Sequence, residues 1–299
     1  MKIVVTGASG FIGTNLVKYL KQQDHHVSAI CDYTCQSSDM ADYAYFTGLI
    51  GFREKYFKSK KADALIHLAA NNDTLGADVE QMINHNFLSS KRMFKLAKKL
   101  ECSHFVYTSS MAVYGNSTDK EDPLNIYASS KLMFDNYIKK IAKKQSMKLI
   151  GLRLCNVYGP HEEFKERRMS YLGQMLKNML LNKAVKLFKE TEIKRDWVYV
   201  DDVCEAIVKS LSAKNHGIHN IGSGQTITFM ELFKKLAKIT GYSKDPELIQ
   251  NKNIETYQNI ENNDISSAIK HLGYNPKYDF DKGIKKYLSE IKSNYLAIS

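Results

Sequence analysis

Three glycines near the N-terminus constrain the fold of this chain more than any other feature. Gly7, Gly10 and Gly13 lie between an apolar run, Lys2–Thr6, and a segment with helical periodicity, Phe11–Lys21. In a strand–turn–helix unit, the first such glycine permits a tight turn, the second lets backbone approach a pyrophosphate, and the third lets helix and strand pack closely. The helix N-terminus then offers N–H groups to the phosphates. The pattern predicts a dinucleotide-binding fold.

Short apolar strands alternate with helices through the first half of the chain. Near-continuous apolar strands separated by helices are typical of a parallel sheet covered on both faces. We therefore predict an α/β fold: a doubly wound parallel (Rossmann) sheet with a smaller C-terminal α/β substrate domain. The dinucleotide-binding domain is expected over residues 1–158 and the substrate-binding domain over residues 159–299, with some elements of the latter packing back on the first. The further predicted strands are Val27–Cys31, Ala64–Leu68, Phe105–Thr108, Leu149–Leu154, Val185–Phe188 and Trp197–Val200; the further predicted helices are Met82–Leu100, Ser129–Lys144, Arg167–Leu181, Asp201–Leu211, Phe229–Thr240, Ile265–Leu272 and Lys282–Ile291.

A carboxylate stands where a dinucleotide fold binds ribose. Asp32 follows the second predicted strand, about 20 residues past the last glycine, and would accept hydrogen bonds from ribose hydroxyls. It would also repel a 2′-phosphate, and no Lys or Arg occurs from residue 33 to residue 51, so NAD is favoured over NADP. The alternative is an ordinary loop carboxylate. The other residues predicted to line the cofactor are Phe11, Ile12, Leu68, Ala69, Ala70 and Asn86. For Asn86 the alternative is an amide on a helix surface.

A tyrosine and a lysine four residues apart form a candidate chemical site. Tyr127 and Lys131 would lie on one face of a helix, one turn apart. A free tyrosine has a pKa of about 10 and is a poor base at neutral pH. A lysine cation and an oxidised nicotinamide nearby would lower the tyrosine pKa. Tyr127 would then take the proton of a substrate hydroxyl while hydride leaves its carbon, and Ser110, at the end of a predicted strand, would hydrogen-bond the reacting oxygen. The alternative is a surface Tyr and Lys.

These motifs together resemble one family. The glycine triplet, Ser109-Ser110 followed by Val113-Tyr114-Gly115, and Tyr127 with Lys131 are similar to segments of the extended short-chain dehydrogenase/reductases, the NAD-dependent epimerases and dehydratases. Two later segments, Asn156–Pro160 and Arg195–Val203, match the family in the same order, so the resemblance covers essentially the whole chain. It implies that Ser110, Tyr127 and Lys131 are catalytic, that Tyr127 and Lys131 also contact the cofactor, and that Ser110, Asn156 and Arg195 face a nucleotide-diphosphate sugar.

Within that family, several segments resemble the ADP-heptose 6-epimerases. They are Pro123–Tyr127, Lys186–Phe188, Lys194–Asp196 and Tyr257-Gln258. The resemblance implies a substrate contact for Tyr257 and a second catalytic base at Lys165, six residues after Gly159; the alternative for Lys165 is a lysine on a loop. The expected enzyme is an NAD-dependent nucleotide-sugar epimerase that oxidises its substrate transiently to a keto-sugar and re-reduces it.

Three departures from the pattern leave the substrate open. Met111 and Ala112 stand where dehydratases carry an Asp-Glu pair, so dehydration is not expected. Residues 47–50 lack the acidic residue that commonly contacts adenine, and Thr256 replaces an arginine that the heptose epimerases carry before their Tyr-Gln pair. The alternatives are a UDP-hexose 4-epimerase and an NAD(P)H-dependent keto-sugar reductase.

Composition limits the other classes of function. The net charge of +11 is spread over helical faces without an Arg-rich arm, so no nucleic-acid partner is expected, although the charge is the one feature that would support a non-enzymatic RNA-binding scaffold. No apolar run is long enough for a membrane helix, and no signal peptide is evident. Five scattered cysteines without a CxxC pair indicate neither a metal site nor a disulfide framework, and suit the cytoplasm.

The family resemblance also implies a homo-oligomer. Family members commonly dimerise through two helices per subunit, here Met82–Leu100 and Ser129–Lys144. Possible contacts are Met93, Phe94, Met133 and Tyr137. The alternative is that these residues belong to the intramolecular core.

Overall fold

The computed structural model describes residues 1–32, 36–46, 57, 61–73, 78–251, 258 and 264–295, apart from the side chains of residues 164, 166, 167 and 292–295. The strands in these ranges are β1 (Lys2–Thr6), β2 (His26–Cys31), β3 (Tyr43–Phe46), β4 (Ala64–His67), β5 (His104–Ser110), β6 (Lys148–Leu154), β7 (Asn156–Tyr158), β8 (Lys186–Phe188), β9 (Lys194–Tyr199), β10 (Gly217–Ile221), β11 (Thr226–Thr228) and β12 (Glu247–Ile249). The helices are α1 (Phe11–Lys21), α2 (Gln36–Met40), α3 (Val79–Ile83), α4 (Ser89–Lys99), α5 (Ile126–Ile141), α6 (Tyr171–Leu180), α7 (Val200–Ser210), α8 (Phe229–Thr240), α9 (Ser266–Leu272) and α10 (Phe280–Tyr295).

The main sheet has seven parallel strands in the order β3-β2-β1-β4-β5-β6-β10. This confirms the predicted doubly wound α/β fold. The edge strand β10 comes from the second half of the chain, and α7, also from the second half, packs against α1. Two small sheets, β11-β9-β7 and β12-β8, account for the other strands of the described ranges.

Alternate residues of each central strand enter two separate cores. Val4, Leu65 and Phe105 pack on the face covered by α4 and α5. Val5 and Ile66 pack on the opposite face, in the core that also takes in α1 and α7. All five side chains are at most 1% exposed. Successive side chains of a strand point to opposite faces, so burial on both sides explains why these strands read as unbroken apolar runs.

The predicted helix Met82–Leu100 is helical from Met82 to Lys99, but it is not a regular α-helix. It divides into α3, a π-helical turn at Asn84–Leu88, and α4. A π-helical turn inserts one residue into the helical repeat, which sequence periodicity does not reveal. Within α4, Met93 and Phe94 are 0% and 4% exposed in the chain's own core, so the intramolecular alternative holds for these two residues.

The cysteines and the helices can be compared with what the composition predicts. Four of the five cysteines, Cys31, Cys102, Cys155 and Cys204, are buried thiols, and Cys35 lies outside the described residues. Among the helices of the described ranges, each is too short or too polar to cross a membrane.

A buried ion pair joins α5 to the sheet beside the candidate site. The Arg153 guanidinium on β6 donates to the Asp135 carboxylate on α5 at 2.9 Å, and both side chains are buried. Asp135 also accepts hydrogen bonds from the hydroxyls of Tyr107 and Ser109 on β5, at 2.9 and 3.0 Å. The Arg153 guanidinium also donates to the partly exposed carboxylate of Glu121, at 2.8 Å. Asp135 thus binds the middle of α5 to two neighbouring strands.

We predict that Arg153→Met destabilises the protein by about 3–5 kcal/mol, because it leaves the Asp135 carboxylate buried without its cation. Urea unfolding followed by circular dichroism measures the change. The matched control is Lys139→Met, which removes an exposed cation 2.6 Å from the same Glu121 and should cost less than about 1 kcal/mol. Equal effects of the two substitutions would contradict the assignment.

Candidate active site

The turn between β1 and α1 has no room for side chains at two of its glycines. Gly7 has a φ of +68°, and a Cβ atom there would lie 2.6 Å from the backbone nitrogen of Ala69. A Cβ atom on Gly13 would lie 2.1 Å from the carbonyl oxygen of Gly7. Because both neighbours are backbone atoms, no side-chain rotation relieves these clashes. The turn, the start of α1 and the segment after β4 are therefore in direct backbone contact.

The N-terminus of α1 has the properties of an anion-binding site. Gly10 is the N-cap residue and supplies no side-chain hydrogen bond, and the first turn of the helix, which begins with Phe11 and Ile12, contains no acidic residue. The first N–H groups of a helix have no intrahelical partner, and the helix dipole favours negative charge beside them. The cradle therefore fits the diphosphate of a dinucleotide.

The other residues predicted to line the cofactor lie at the carboxyl ends of adjacent strands. Asp32 follows β2 with an exposed side chain, and its N–H donates to the Ser9 hydroxyl of the glycine turn at 3.3 Å. The N–H of Leu68, after β4, donates to the Thr6 carbonyl at 3.2 Å. Ala69 touches the glycine turn, and Ala70 follows it. The structure thus brings the predicted cofactor residues of three neighbouring strands, β2, β1 and β4, to one edge of the sheet.

A chain of buried hydrogen bonds runs behind this edge. His67 Nδ1 lies 2.7 Å from the Thr6 hydroxyl, and His67 Nε2 lies 2.9 Å from the Ser90 hydroxyl. Ser90 donates to the carbonyl of Asn86 at 2.6 Å, so His67 Nε2–H must donate to Ser90 and His67 Nδ1 must accept from Thr6. Thr6 in turn accepts from the N–H of Ala69 at 3.5 Å. Burial, helped by the charge of a nearby lysine, lowers the pKa of His67 to about 3, which keeps the ring neutral.

Asn86 continues the chain to the candidate catalytic helix. Its amide exchanges hydrogen bonds with the backbone of Asn71, accepting at 2.8 Å and donating at 2.9 Å. It also donates to the Ser130 hydroxyl at 2.9 Å, and Ser130 donates to the Tyr127 carbonyl at 2.7 Å. Asn86 is 2% exposed, so the surface alternative is wrong. Its side chain ties the segment after β4 to the start of α5.

Ser110, Tyr127 and Lys131 meet where β5 ends and α5 begins. Asn125 caps α5 by accepting from the N–H of Ala128 at 2.9 Å, which places Tyr127 in the first turn of the helix. The Ser110 hydroxyl lies close enough to the Tyr127 phenol to lower its pKa. Lys131 is 8% exposed, and its ammonium lies 5.9 Å from the centre of the Tyr127 ring. The surface alternative is therefore wrong for Lys131, whereas Tyr127 is half-buried.

The protonation of these groups is set mainly by burial. Burial lowers the pKa of Lys131 to about 8, while the charge of Asp135 acts in the opposite direction. Its ammonium donates to the Thr108 carbonyl at 2.9 Å. Burial raises the pKa of Tyr127, against the effect of the Ser110 hydrogen bond. In the protein without cofactor, therefore, the pKa of Tyr127 is not lowered. The sequence predicts two charges that would lower this pKa, the Lys131 cation and an oxidised nicotinamide, and a bound cofactor would add the second.

The residues predicted to hold a substrate diphosphate lie on the small sheet β11-β9-β7. Asn156 is the register partner of Trp197, and the Asn156 amide donates to the carbonyl of Asp196 at 3.2 Å. Arg195 is 5% exposed, donates to the carbonyls of Lys194 and Gln258, and stacks over Phe229. The Trp197 indole N–H is buried and has no hydrogen-bond partner in the described part of the chain.

Some positions that the sequence singles out lie outside the described residues. Tyr257, Thr256 and residues 47–50 lie outside the described residues. Lys165 is described, on a 3-10 turn at Glu162–Arg168, where its ammonium lies 5.3 Å from the centre of the Phe11 ring and 3.3 Å from the buried carboxylate of Glu162. Sequence reasoning missed Glu162, although its spacing of three residues from Lys165 is a signal for an ion pair within one helical turn.

Comparison with known proteins agrees with this geometry. The model of the NAD dependent epimerase/dehydratase family matches residues 3–222. The chain is 29% identical to an ADP-L-glycero-D-manno-heptose-6-epimerase of Brachyspira hyodysenteriae, over 98% of each protein, and 30% identical to that of Cupriavidus pinatubonensis, over 96% and 97%. This protein therefore belongs to the NAD-dependent epimerase/dehydratase family.

Two solved structures show the same architecture over nearly the whole chain. The Helicobacter pylori ADP-L-glycero-D-manno-heptose-6-epimerase is 28% identical, with a TM-score of 0.88 over 98% of this chain and 96% of that one. The Thermotoga maritima UDP-glucose 4-epimerase, solved with UDP-glucose, is 25% identical, with a TM-score of 0.90 over 98% and 99%. The family is thus clear, and two kinds of sugar epimerase share this fold.

We predict that acid destabilises the protein partly through His67. The folded state holds its pKa near 3, below the ordinary value of about 6.5, so the unfolded state takes up a proton that the folded state refuses as the pH falls through this window. Between pH 7 and 5.5 this costs about 1 kcal/mol. His67→Asn should be less stable at every pH but should lose about 1 kcal/mol less than the wild type over that interval, measured by urea unfolding.

The control is His26→Asn, at a position where the side chain is 44% exposed. It should keep the wild-type dependence on pH. An unchanged dependence in His67→Asn would show that the ring is not held neutral by the fold.

Proposed function

We propose that this protein is an NAD-dependent epimerase of a nucleotide sugar. The observation that carries the proposal is the meeting of Ser110, Tyr127 and Lys131 at the sheet edge that also presents the glycine turn. Gly7, Gly10 and Gly13 would hold the cofactor diphosphate, with Phe11, Ile12 and the residues after β4 around it. Asp32 would bind a ribose, which favours NAD over NADP. When bound, NAD supplies the hydride acceptor and the hydride donor.

Tyr127 would act as the acid–base group. It takes the proton from a sugar hydroxyl while the hydride leaves the same carbon, and a ketone forms. Ser110 donates a hydrogen bond to the reacting oxygen and holds it beside the phenol. Lys131, with a pKa of about 8, is mostly a cation at pH 7, and its charge favours the phenolate that accepts the proton.

Epimerisation requires that the ketone be reduced from its opposite face. The keto-sugar must either turn over beside Tyr127 or lie in a second orientation with a second proton donor. We assign Lys165 as that donor, because its ammonium lies over Phe11 at the start of α1, where the cofactor diphosphate would bind. The substrate diphosphate would be held by three residues. Asn156 belongs to β7, directly before the proposed substrate domain, and Arg195 and Tyr257 belong to that domain, residues 159–299. The planar guanidinium of Arg195 suits such a group because it donates hydrogen bonds in pairs.

An ADP-heptose is the substrate that the relatives favour, with inversion at carbon 6. Three full-length relatives at 28–30% identity carry that activity in their names. A UDP-hexose inverted at carbon 4 is the second candidate, because the Thermotoga UDP-glucose 4-epimerase fits this chain with a TM-score of 0.90. The buried Met111 and the neighbouring Ala112 after Ser110 carry no acid, which argues against a dehydratase.

The test is a panel of nucleotide sugars offered to the purified protein. The nucleotide released by denaturation is first identified by mass spectrometry, and we expect NAD. Binding of ADP-heptose or UDP-glucose should change the fluorescence of Trp197, the single tryptophan of the chain, because Trp197 is the register partner of Asn156 and lies two residues from Arg195 on β9. Proton NMR should then show isomerisation of one of them without net oxidation.

The matched control for this panel is Tyr127→Phe, which keeps the ring but removes the acid–base group. We expect turnover to fall by at least about 100-fold while the Trp197 response to the sugar persists. Consumption of NADPH with a keto-sugar, and no isomerisation, would instead establish a reductase and overturn the assignment.

We further propose that the protein is a cytoplasmic homo-oligomer that pairs through α5 and the neighbouring π-helical turn. Met133 on α5 is 38% exposed, and Leu88 at the end of the π-helical turn, against which α5 packs, is 36% exposed. The buried thiols suit a reducing compartment. Light scattering should give a dimer or larger species for the wild type and a smaller one for Met133→Glu. Ile269→Glu, at an exposed apolar residue of α9, should leave the mass unchanged. A monomeric wild type would overturn this assignment.

A further inference from the structure

The Glu162 carboxylate is buried, and both of its oxygens accept hydrogen bonds from Ser170. Its side chain is 0% exposed. One oxygen accepts from the N–H of Ser170 at 2.6 Å, and the other accepts from the Ser170 hydroxyl at 3.0 Å. Burial raises the pKa of Glu162, whereas the charge of Lys165 and the hydrogen bonds from Ser170 lower it. Such a carboxylate is costly to bury unless its partners are fixed.

The first turn of α6 is shaped around that carboxylate. Ser170 is the N-cap residue of α6 and accepts from the N–H of Gly173 at 3.0 Å. A Cβ atom on Gly173 would lie 2.8 Å from one oxygen of Glu162, so the absence of a side chain there leaves room for the acid. Glu162 is therefore held by a helix N-terminus, and its position does not depend on Lys165.

The Lys165 side chain is paired with Glu162. The ammonium lies 3.3 Å from the Glu162 oxygen and 5.3 Å from the centre of the Phe11 ring. A lysine side chain has four rotatable bonds and loses much conformational entropy when it is fixed, so it needs a partner to stay in one place. At 24% exposure it also remains accessible to a ligand.

The chain directly before this turn, at Pro160, is attached to α1. The Asn15 amide donates to the carbonyl of Pro160 at 2.9 Å and to the carbonyl of Phe11 at 2.9 Å. Glu162 and Lys165 thus lie on a turn that is fixed to α1 at one end and to α6 at the other. The turn spans the gap between the glycine turn and the second half of the chain.

We propose that Glu162 is the positioning residue of Lys165: it holds the ammonium over the first residue of α1, between the cofactor turn and the substrate side. The proposal deepens the proposed function, on which the proton-donor role of Lys165 rests. Glu162 touches neither ligand and acts through Lys165. Replacing it with the isosteric Gln keeps an acceptor for Ser170 and removes the charge that faces the ammonium.

A double-mutant cycle separates positioning from a structural role. Glu162→Gln should lower turnover about 10-fold with less than a threefold change in KM. In a Lys165→Gln background the same substitution should have no further effect, because the group through which it acts is gone. The neighbouring Glu163→Gln, with the same change in charge, should stay within twofold of the wild type. An equal loss in both backgrounds would overturn the proposal.

A second measurement needs no substrate and no bound cofactor. Trace acetylation with acetic anhydride at pH 8, followed by mass spectrometry of peptides, reports how freely each lysine amine reacts. Relative to the exposed Lys18, the Lys165 amine should react at least threefold faster in Glu162→Gln than in the wild type, because its ion pair is gone. Thermal unfolding checks that the variant is folded. An unchanged rate in the folded variant would overturn the positioning role, whatever the sugar panel shows about the enzyme.

Discussion

The arrangement of this protein depends on one close approach of backbone to backbone. At the glycine turn, β1, the start of α1 and the segment after β4 meet at distances that leave no space for a methyl group on Gly7 or Gly13. This contact fixes the N-terminus of α1 against the carboxyl edge of the sheet, uncapped by any side chain. The positive end of the helix dipole and its N–H groups are thereby available to an anion at that edge. The remaining parts of the candidate site are placed relative to this point.

Hydrogen-bonded polar side chains connect the glycine turn to α5, the proposed catalytic helix. Each member of the chain from Thr6 through His67 and Ser90 to Asn86 donates in the same direction, which only a neutral imidazole allows. A protonated ring would turn the acceptor Nδ1 into a donor and leave the Thr6 hydroxyl proton without its partner. Networks of this kind are costly when incomplete, and when complete they specify one arrangement of the elements they join. Here they hold the segment after β4 and the first turn of α5 together.

The side on which we propose that the substrate binds is built differently, from residues that are distant in sequence and joined by strand pairing. Asn156 on β7 and Arg195 on β9 share one small sheet because the two strands run parallel in a fixed register. The turn with Glu162 and Lys165 connects this half to α1. The proposed cofactor edge therefore relies on glycine packing and buried hydrogen bonds, whereas the proposed substrate side relies on strand pairing and charged groups. A division of this kind suits a family in which one chemistry serves several sugars.

Local sequence determined the elements whose signals lie within one segment: the glycine turn, α1, α8, the apolar central strands and the spacing of Tyr127 and Lys131. These follow from periodicity, from burial on both faces of the sheet, and from the geometry of one helical turn. Strands β3, β7, β10, β11 and β12 were not predicted, because most of them have only three or four residues and their stability comes from pairing with other strands of the chain. Likewise, the π-helical turn and the neutral His67 have no local signal. The spacing of Glu162 from Lys165 is a local signal for an ion pair, but the burial of Glu162 depends on other elements. The sequence by itself thus determined the class of fold and the chemical groups that are present. The tertiary structure alone decided which groups meet and which protonation state they have, because desolvation and long-range pairing exist only once the chain is folded.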